Sequence, residues 1–317
     1  MLAGVGEDDC GVIQLGNSIA IISADFLNAT PIVEQLGLGG ERVLGRLAVA
    51  ATLADLLGSG AIPRALLVCL TLPHSYPEER FKDLMLGARM ESSRWRVPVI
   101  AGDTKLGAAR AILTCGLGSA SSKRHLFLAN KARPGDIIFA SGTLGTCAAA
   151  TCLAEQTEII PRWALRAITI PRLPMLRSRK LSALQIAHAG TDISDGLAVD
   201  LRRMCDASGV GALLEADRIP VDSHVFAIAK NEQVSPWAFS LASGGDFQFI
   251  VTVPQSASIA AVRLGFARIG IVTRERRFWL SDQGGKRRWR LPELGHRDRK
   301  GQRFVDEIRD IIRRVAE

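Results

Sequence analysis

Thr191-Asp192-Ile193-Ser194-Asp195-Gly196-Leu197 sets two carboxylates three residues apart around a serine, with an Asp-Gly turn between them and the apolar Leu197. Taken alone, this is a helix cap with a tight turn. Its weight comes from similar groups elsewhere. Gly102-Asp103-Thr104 follows an apolar strand predicted over 97–101, Asp25 closes one over 19–23, and Asp8-Asp9 follow Gly4-Val5-Gly6 and lead into another. Asp55 lies in a helix predicted over 42–57, which stops at the breaker cluster Gly58-Ser59-Gly60. Carboxylates crowded at the ends of apolar strands repel one another and need a cation. Mg²⁺ is the natural one, because it takes carboxylate oxygens and leaves positions for substrate phosphates.

The surrounding chain predicts two α/β halves. A strand over 12–22, the helix over 42–57, a buried strand over 65–72, a helix over 77–94 and strands over 97–101 and 109–117 form the first. The turn Ala132-Arg133-Pro134-Gly135-Asp136 precedes a strand over 137–141 and opens the same style again. The boundary is placed near 125, giving domains over 1–125 and 126–317. Ser141-Gly142-Thr143-Leu144-Gly145 joins a strand to an alanine-rich helix. It is either a tight turn or a loop whose glycine and helix N-terminus receive a phosphate. Ser243-Gly244-Gly245-Asp246, ahead of a strand over 247–253, offers backbone amides in the same way.

Composition narrows the classes. The 317 residues are 47% hydrophobic, enough for a sizeable core, and disorder is excluded. Neither a membrane span nor a secretory signal is expected, and the location predicted is the cytoplasm. The six cysteines form no Cys-x-x-Cys pair, which argues against a zinc site or a disulfide framework. The net charge of +8 is concentrated in the tail, where basic and acidic residues alternate. A solvated face that attracts anionic small molecules explains it better than nucleic-acid binding.

These motifs, in this order, resemble the superfamily of aminoimidazole-ribonucleotide synthetase, thiamine-phosphate kinase, selenophosphate synthetase and the hydrogenase-maturation carbamoyl dehydratase. Within it the chain is most similar to thiamine-phosphate kinase. That similarity rests on Gly6-Glu7-Asp8-Asp9, on residues 53–63, on Gly102-Asp103-Thr104, on Pro171-Arg172 and on Asp192-Ile193-Ser194-Asp195-Gly196-Leu197. The resemblance implies a homodimer of two-domain α/β subunits, an N-terminal ATP/Mg and dimerisation domain followed by a C-terminal α/β domain. It implies Mg²⁺ held by Asp8, Asp9, Asp25, Asp55, Asp103, Asp192 and Asp195. Nucleotide contacts would come from Gly6, Asp8, Asp9, Gly102, Thr104, Ser141, Gly142, Ser194, Gly244 and Gly245, and catalytic roles fall to Asp103, Asp195 and Lys105. Arg133 is a further candidate cation. The implied activity is ATP- and Mg²⁺-dependent phosphorylation of thiamine phosphate.

Two departures bear on the acceptor. The family's Ser-Thr-Asp is Ser23-Ala24-Asp25 here, and its Gly-Gly-Glu-Asp-Tyr-Glu-Leu is shortened to Gly244-Gly245-Asp246-Phe247-Gln248-Phe249, with one glutamate lost. Two alternatives therefore stand beside the kinase. One is a synthase or dehydratase of the same superfamily acting on a carbonyl or amide oxygen. The other is a nucleotide-binding regulatory dimer without turnover.

Overall fold

The computed structural model describes residues 1–4, 8–27, 32–242, 244–282 and 287–290, together with Asp306 and Asp310. Strands are β1 (Gly11–Leu15), β2 (Ser18–Leu27), β3 (Ile62–Leu72), β4 (Val99–Leu106), β5 (Ala111–Ala120), β6 (Ile137–Ala140), β7 (Ala189–Asp192), β8 (Gly211–Glu215), β9 (Phe249–Val253), β10 (Ala267–Thr273), β11 (Phe278–Asp282) and β12 (Arg287–Arg290). Helices are α1 (Ile32–Gln35), α2 (Glu41–Gly58), α3 (Glu78–Trp95), α4 (Thr146–Ala154), α5 (Arg162–Thr169), α6 (Met175–Leu184), α7 (Leu197–Ser208), α8 (Ser223–Glu232), α9 (Trp237–Ala242) and α10 (Ser258–Arg263).

Two sheets result, as the α/β prediction requires. The first runs β1-β2-β5-β3-β4 and the second β12-β11-β8-β10-β6-β9-β7, so the chain changes sheet between Ala120 and Ile137. The first sheet is antiparallel except for the β3–β4 pair. Helix α2 lies across one face of it and α3 packs on α2. Sandwiched in this way, α2 is buried nearly all round, from Leu44 to Gly58. An apolar surface on all sides is what a fully buried helix needs. The core it enters also takes Cys147, Ala150, Ala164 and Ile168 from α4 and α5, so the two halves share packing.

Three local predictions change. The single strand expected over 12–22 is the hairpin β1–β2. Gly16 supplies φ +57° at the turn, and Gly16-Asn17 is a two-residue hairpin signal inside an alternating run. Asp25 and Asp103 were expected at strand ends, yet both lie within longer strands, β2 and β4. Asp192 was expected after a helical stretch, and it ends strand β7 instead.

Candidate active site

One crossing between the halves gathers most of the predicted acids. The last turn of α2 abuts β7 so closely that a Cβ on Gly58 would lie 2.5 Å from the Asp192 amide nitrogen. Only glycine permits that approach. One turn earlier on α2, Asp55 comes to the same junction. Asp9 joins from the N-terminal segment, where its Oδ2 accepts a hydrogen bond from Thr191 Oγ1 at 2.7 Å. Asp25 enters from β2 on the face that α2 covers, where it feels the charges of Asp195 and Asp9.

The electrostatics of this junction are those of acids without enough compensation. Burial pushes the Asp55 carboxyl well up, the Ser23 hydroxyl that hydrogen-bonds to it pulls down, and Asp25, Asp9 and Asp8 push up again. Asp192 is also raised well above the usual range, first by burial and then by Asp55, Asp9, Asp200 and Asp25. Asp25 is raised by burial and by Asp195. The leading influences on all three are burial and neighbouring carboxylates.

The donor set, several carboxylates desolvated together, is the chemistry a hard divalent cation requires. Among the described residues, however, no three donors stand close enough to coordinate one ion. The reason is visible in their partners. Ser23 holds Asp55, Thr191 holds Asp9, and Arg203 holds Asp195. The acids fit a metal in kind and are parked on protein donors.

Asp8 differs from its neighbours. Its Oδ1 accepts from the Cys10 amide at 3.0 Å and its Oδ2 from the Ala129 amide at 2.6 Å. Burial raises its carboxyl to about 6 against the pull of those amides. With both oxygens engaged by backbone, Asp8 ties the N-terminal segment to the stretch joining the two sheets. This geometry favours a structural tie over the predicted metal ligand.

Asp103 and Lys105, predicted to be catalytic, stand apart from the junction. Asp25 pairs across the sheet with Thr114, Thr114 with Val68, and Val68 with Gly102. Side chains alternate along a strand, so Asp103 points to the opposite face. Its neighbours there are Cys69, Leu113 and Phe26, the last 63% exposed. Lys105 Nζ lies 3.4 Å from Asp103 Oδ2, with both side chains largely in solvent. Thr104 pairs with Leu70, on the face opposite Asp103, and like Gly102 it is exposed on edge strand β4. Arg133 is exposed in the turn before β6.

The predicted phosphate loop is filled from within. Gly145 and Cys147, at the N-terminus of α4, donate their amides to Asp246 Oδ2 and Oδ1 at 2.6 and 2.8 Å. The carboxylate of the Gly244-Gly245-Asp246 segment thus occupies the place where a phosphate was expected at Ser141-Gly142. Burial raises Asp246 to about 6 while the amides hold it down. Ser141 itself is locked by the sheet, giving its hydroxyl proton to Gln248 Oε1 at 2.9 Å and accepting from the Phe249 amide at 3.0 Å. Gly244 serves packing, since a Cβ there would lie 2.1 Å from the Ser194 carbonyl oxygen. That contact seats the Gly244–Asp246 loop beside the Asp192–Asp195 turn. Gly6 lies outside the described residues.

Two site residues were not anticipated. Asp200, 3% exposed on α7, accepts the Asp195 amide at 2.9 Å. Burial and then Asp195 raise it to about 7. Arg203, one turn further along α7, donates Nη1 to Asp195 Oδ2 at 2.5 Å and to Asp200 Oδ1 at 3.2 Å. The signal was present in the i, i+3 spacing of Asp200 and Arg203 just after the Asp195-Gly196 turn.

Comparison with known proteins agrees with this architecture. Residues 7–120 match the AIR synthase related protein N-terminal domain and residues 133–282 its C-terminal domain. The chain is 30% identical to the thiamine-monophosphate kinase of Pyrococcus abyssi over 265 residues, covering 84% of this chain and 82% of that protein. Among solved structures it is similar to AaThiL complexed with AMPPCP and TMP, with a TM-score of 0.76 and 21% identity over 89% of this chain and 88% of that one. It is also similar to the hydrogenase maturation protein HypE, at 0.71 and 22% over 88% and 90% of the two chains. Likeness at such identities is likeness of fold.

Proposed function

We propose that this chain, which belongs to the thiamine-monophosphate kinase family of AIR synthase related proteins, transfers the γ-phosphoryl group of ATP to the phosphate of thiamine phosphate. The observation that carries this reading is the meeting of Asp9, Asp25, Asp55, Asp192 and Asp195 at the α2–β7 crossing, beside the Gly244–Asp246 loop. Those five acids would hold Mg²⁺, which when bound neutralises phosphate charge. Asp8 fastens the segment that carries Asp9. The Asp195 backbone is fixed through Asp200, and Thr191 fixes the Asp9 carboxylate. The attacking group is a phosphate oxygen already ionised at neutral pH, so no side chain has to serve as general base. In-line positioning and charge neutralisation are the work left to the protein.

The reading includes a homodimer. Ile13, Leu15, Ile22, Phe26 and Leu117 crowd the uncovered face of the first sheet, with Phe26 63% and Leu15 57% exposed. An apolar patch of this kind is what a partner surface covers. A second copy laid there would meet Asp103 and Lys105, which a single chain leaves at the sheet edge. Among the described residues no helix is long and apolar enough to cross a membrane. The six cysteines are all free, which supports placement in the reducing cytoplasm.

Incubating the purified protein with Mg-ATP and a panel of acceptors tests the activity. ADP and thiamine diphosphate should form together, and only with thiamine phosphate present. ADP formation only with an amide or carboxamide acceptor would instead favour the dehydratase-like alternative, which the missing glutamate beside Gly245 keeps in view. ATP binding with no ADP from any acceptor would leave a binding protein.

A further inference from the structure

Arg203 is an unexpected cation in contact with the junction, and its geometry is that of an exchangeable group. Its guanidinium bridges Asp195 and Asp200, while its side chain remains 53% exposed. The two carboxylates differ. Asp200 is 3% exposed and fixed by the Asp195 amide, whereas Asp195 is 21% exposed and sits on the turn facing the other acids. A guanidinium anchored at Asp200 can therefore release Asp195 without leaving the site. Burial works against its charge, and Asp195, Asp200 and Asp9 together outweigh that penalty.

We infer that Arg203 is the resident counter-ion of the acid junction, holding Asp195 until a divalent cation displaces it, and so sets the protein's affinity for that cation. This rests on the assignment of Asp195 as a metal ligand in the proposed kinase. Without a metal, the guanidinium offsets repulsion that otherwise destabilises the fold. With a metal, it is a competitor for one carboxylate oxygen. The two roles predict opposite signs for one substitution, and a merely structural residue would not produce that pattern.

The test is calorimetric titration of the full chain with MgCl₂ or MnCl₂ alone, together with thermal unfolding with and without the ion. Arg203→Gln should unfold at a lower temperature without metal. It should also bind the ion about two- to five-fold more tightly, the range expected from removing a partly exposed ion pair. Arg203→Lys should restore the metal-free stability and most of the wild-type affinity, and it keeps the test open if the glutamine variant folds poorly. Weaker ion binding in Arg203→Gln would overturn the inference, because Arg203 would then orient Asp195 for the metal. Unchanged affinity and unchanged metal-free stability would overturn it too, as a bystander's result. If the wild type itself binds neither ion, the metal assignment of the proposed function fails along with it. A wild type that binds the ion but phosphorylates another acceptor leaves the inference standing.

Discussion

Asp192, at the end of β7, and Asp246 are both buried carboxylates of the second half, beside turns that touch through Gly244 and Ser194, yet they are compensated in opposite ways. Asp246 faces the amides of Gly145 and Cys147 at a helix N-terminus, where partial positive charge and hydrogen bonds answer it. Asp192 faces Asp55, Asp9, Asp200 and Asp25. Burial of a carboxylate does not by itself mark a ligand site. What surrounds the carboxylate decides whether it closes a structural contact or waits for a cation. The comparison also explains why the glycine turn at Ser141-Gly142 resembles a phosphate loop without being open as one.

Asp192→Asn gives the largest expected effect and addresses the acidic side of this contrast. Mg²⁺-dependent ADP release should fall by about a thousand-fold or more, the scale of losing several kcal/mol of charge stabilisation. The metal-free protein should meanwhile melt at a higher temperature, since a carboxyl raised well above its usual range destabilises the fold once ionised. Undiminished turnover would remove Asp192 from the site.

Asp246 addresses the other side. Asp246→Ala leaves two helix-end amides unanswered and should cost about 1–2 kcal/mol in denaturant unfolding, as for lost helix caps. Asp246→Asn separates charge from shape. Because the wild-type carboxyl is raised to about 6, the folded state holds its proton over a pH range where the unfolded chain has lost it. Wild-type stability relative to Asp246→Asn should therefore be greatest below pH 4 and decline as pH rises through about 6. The full span is at most ~3 kcal/mol, from the free energy of a shift of about two pH units. A difference that grew with pH would mean the amides outweigh burial.

The smallest effect belongs to the sheet edge. Lys105→Ala breaks an exposed pair with Asp103, and monomer stability should change by less than about 0.5 kcal/mol. A larger loss would show that Asp103 and Lys105 are buried by neighbours that a single chain does not display.

Much of the candidate site was legible in the sequence because its acids sit in short motifs beside apolar segments, where a carboxylate is out of place. Asp9, Asp25, Asp55, Asp192 and Asp195 were singled out as candidates in this way. Asp200 and Arg203 were not, since on a helix an acid and a base three residues apart look like an ordinary exposed pair. Only the turn of α7 beneath Asp195 makes them part of the junction. The hairpin at Gly16 escaped because alternation continues through its two-residue turn.

The sequence alone determined the two α/β halves, the helix that becomes α2 and the list of acids, all of which follow from local periodicity and composition. The tertiary structure decided which acids meet. Asp25 and Asp103 stand on adjacent registers of one sheet, and a single step along a strand sends their side chains to opposite faces. Asp55 and Asp192 are far apart in the chain, and they come together because a glycine lets a helix end touch a strand. Parity along a strand and the closeness of one crossing are properties of packed elements, and no single motif contains them.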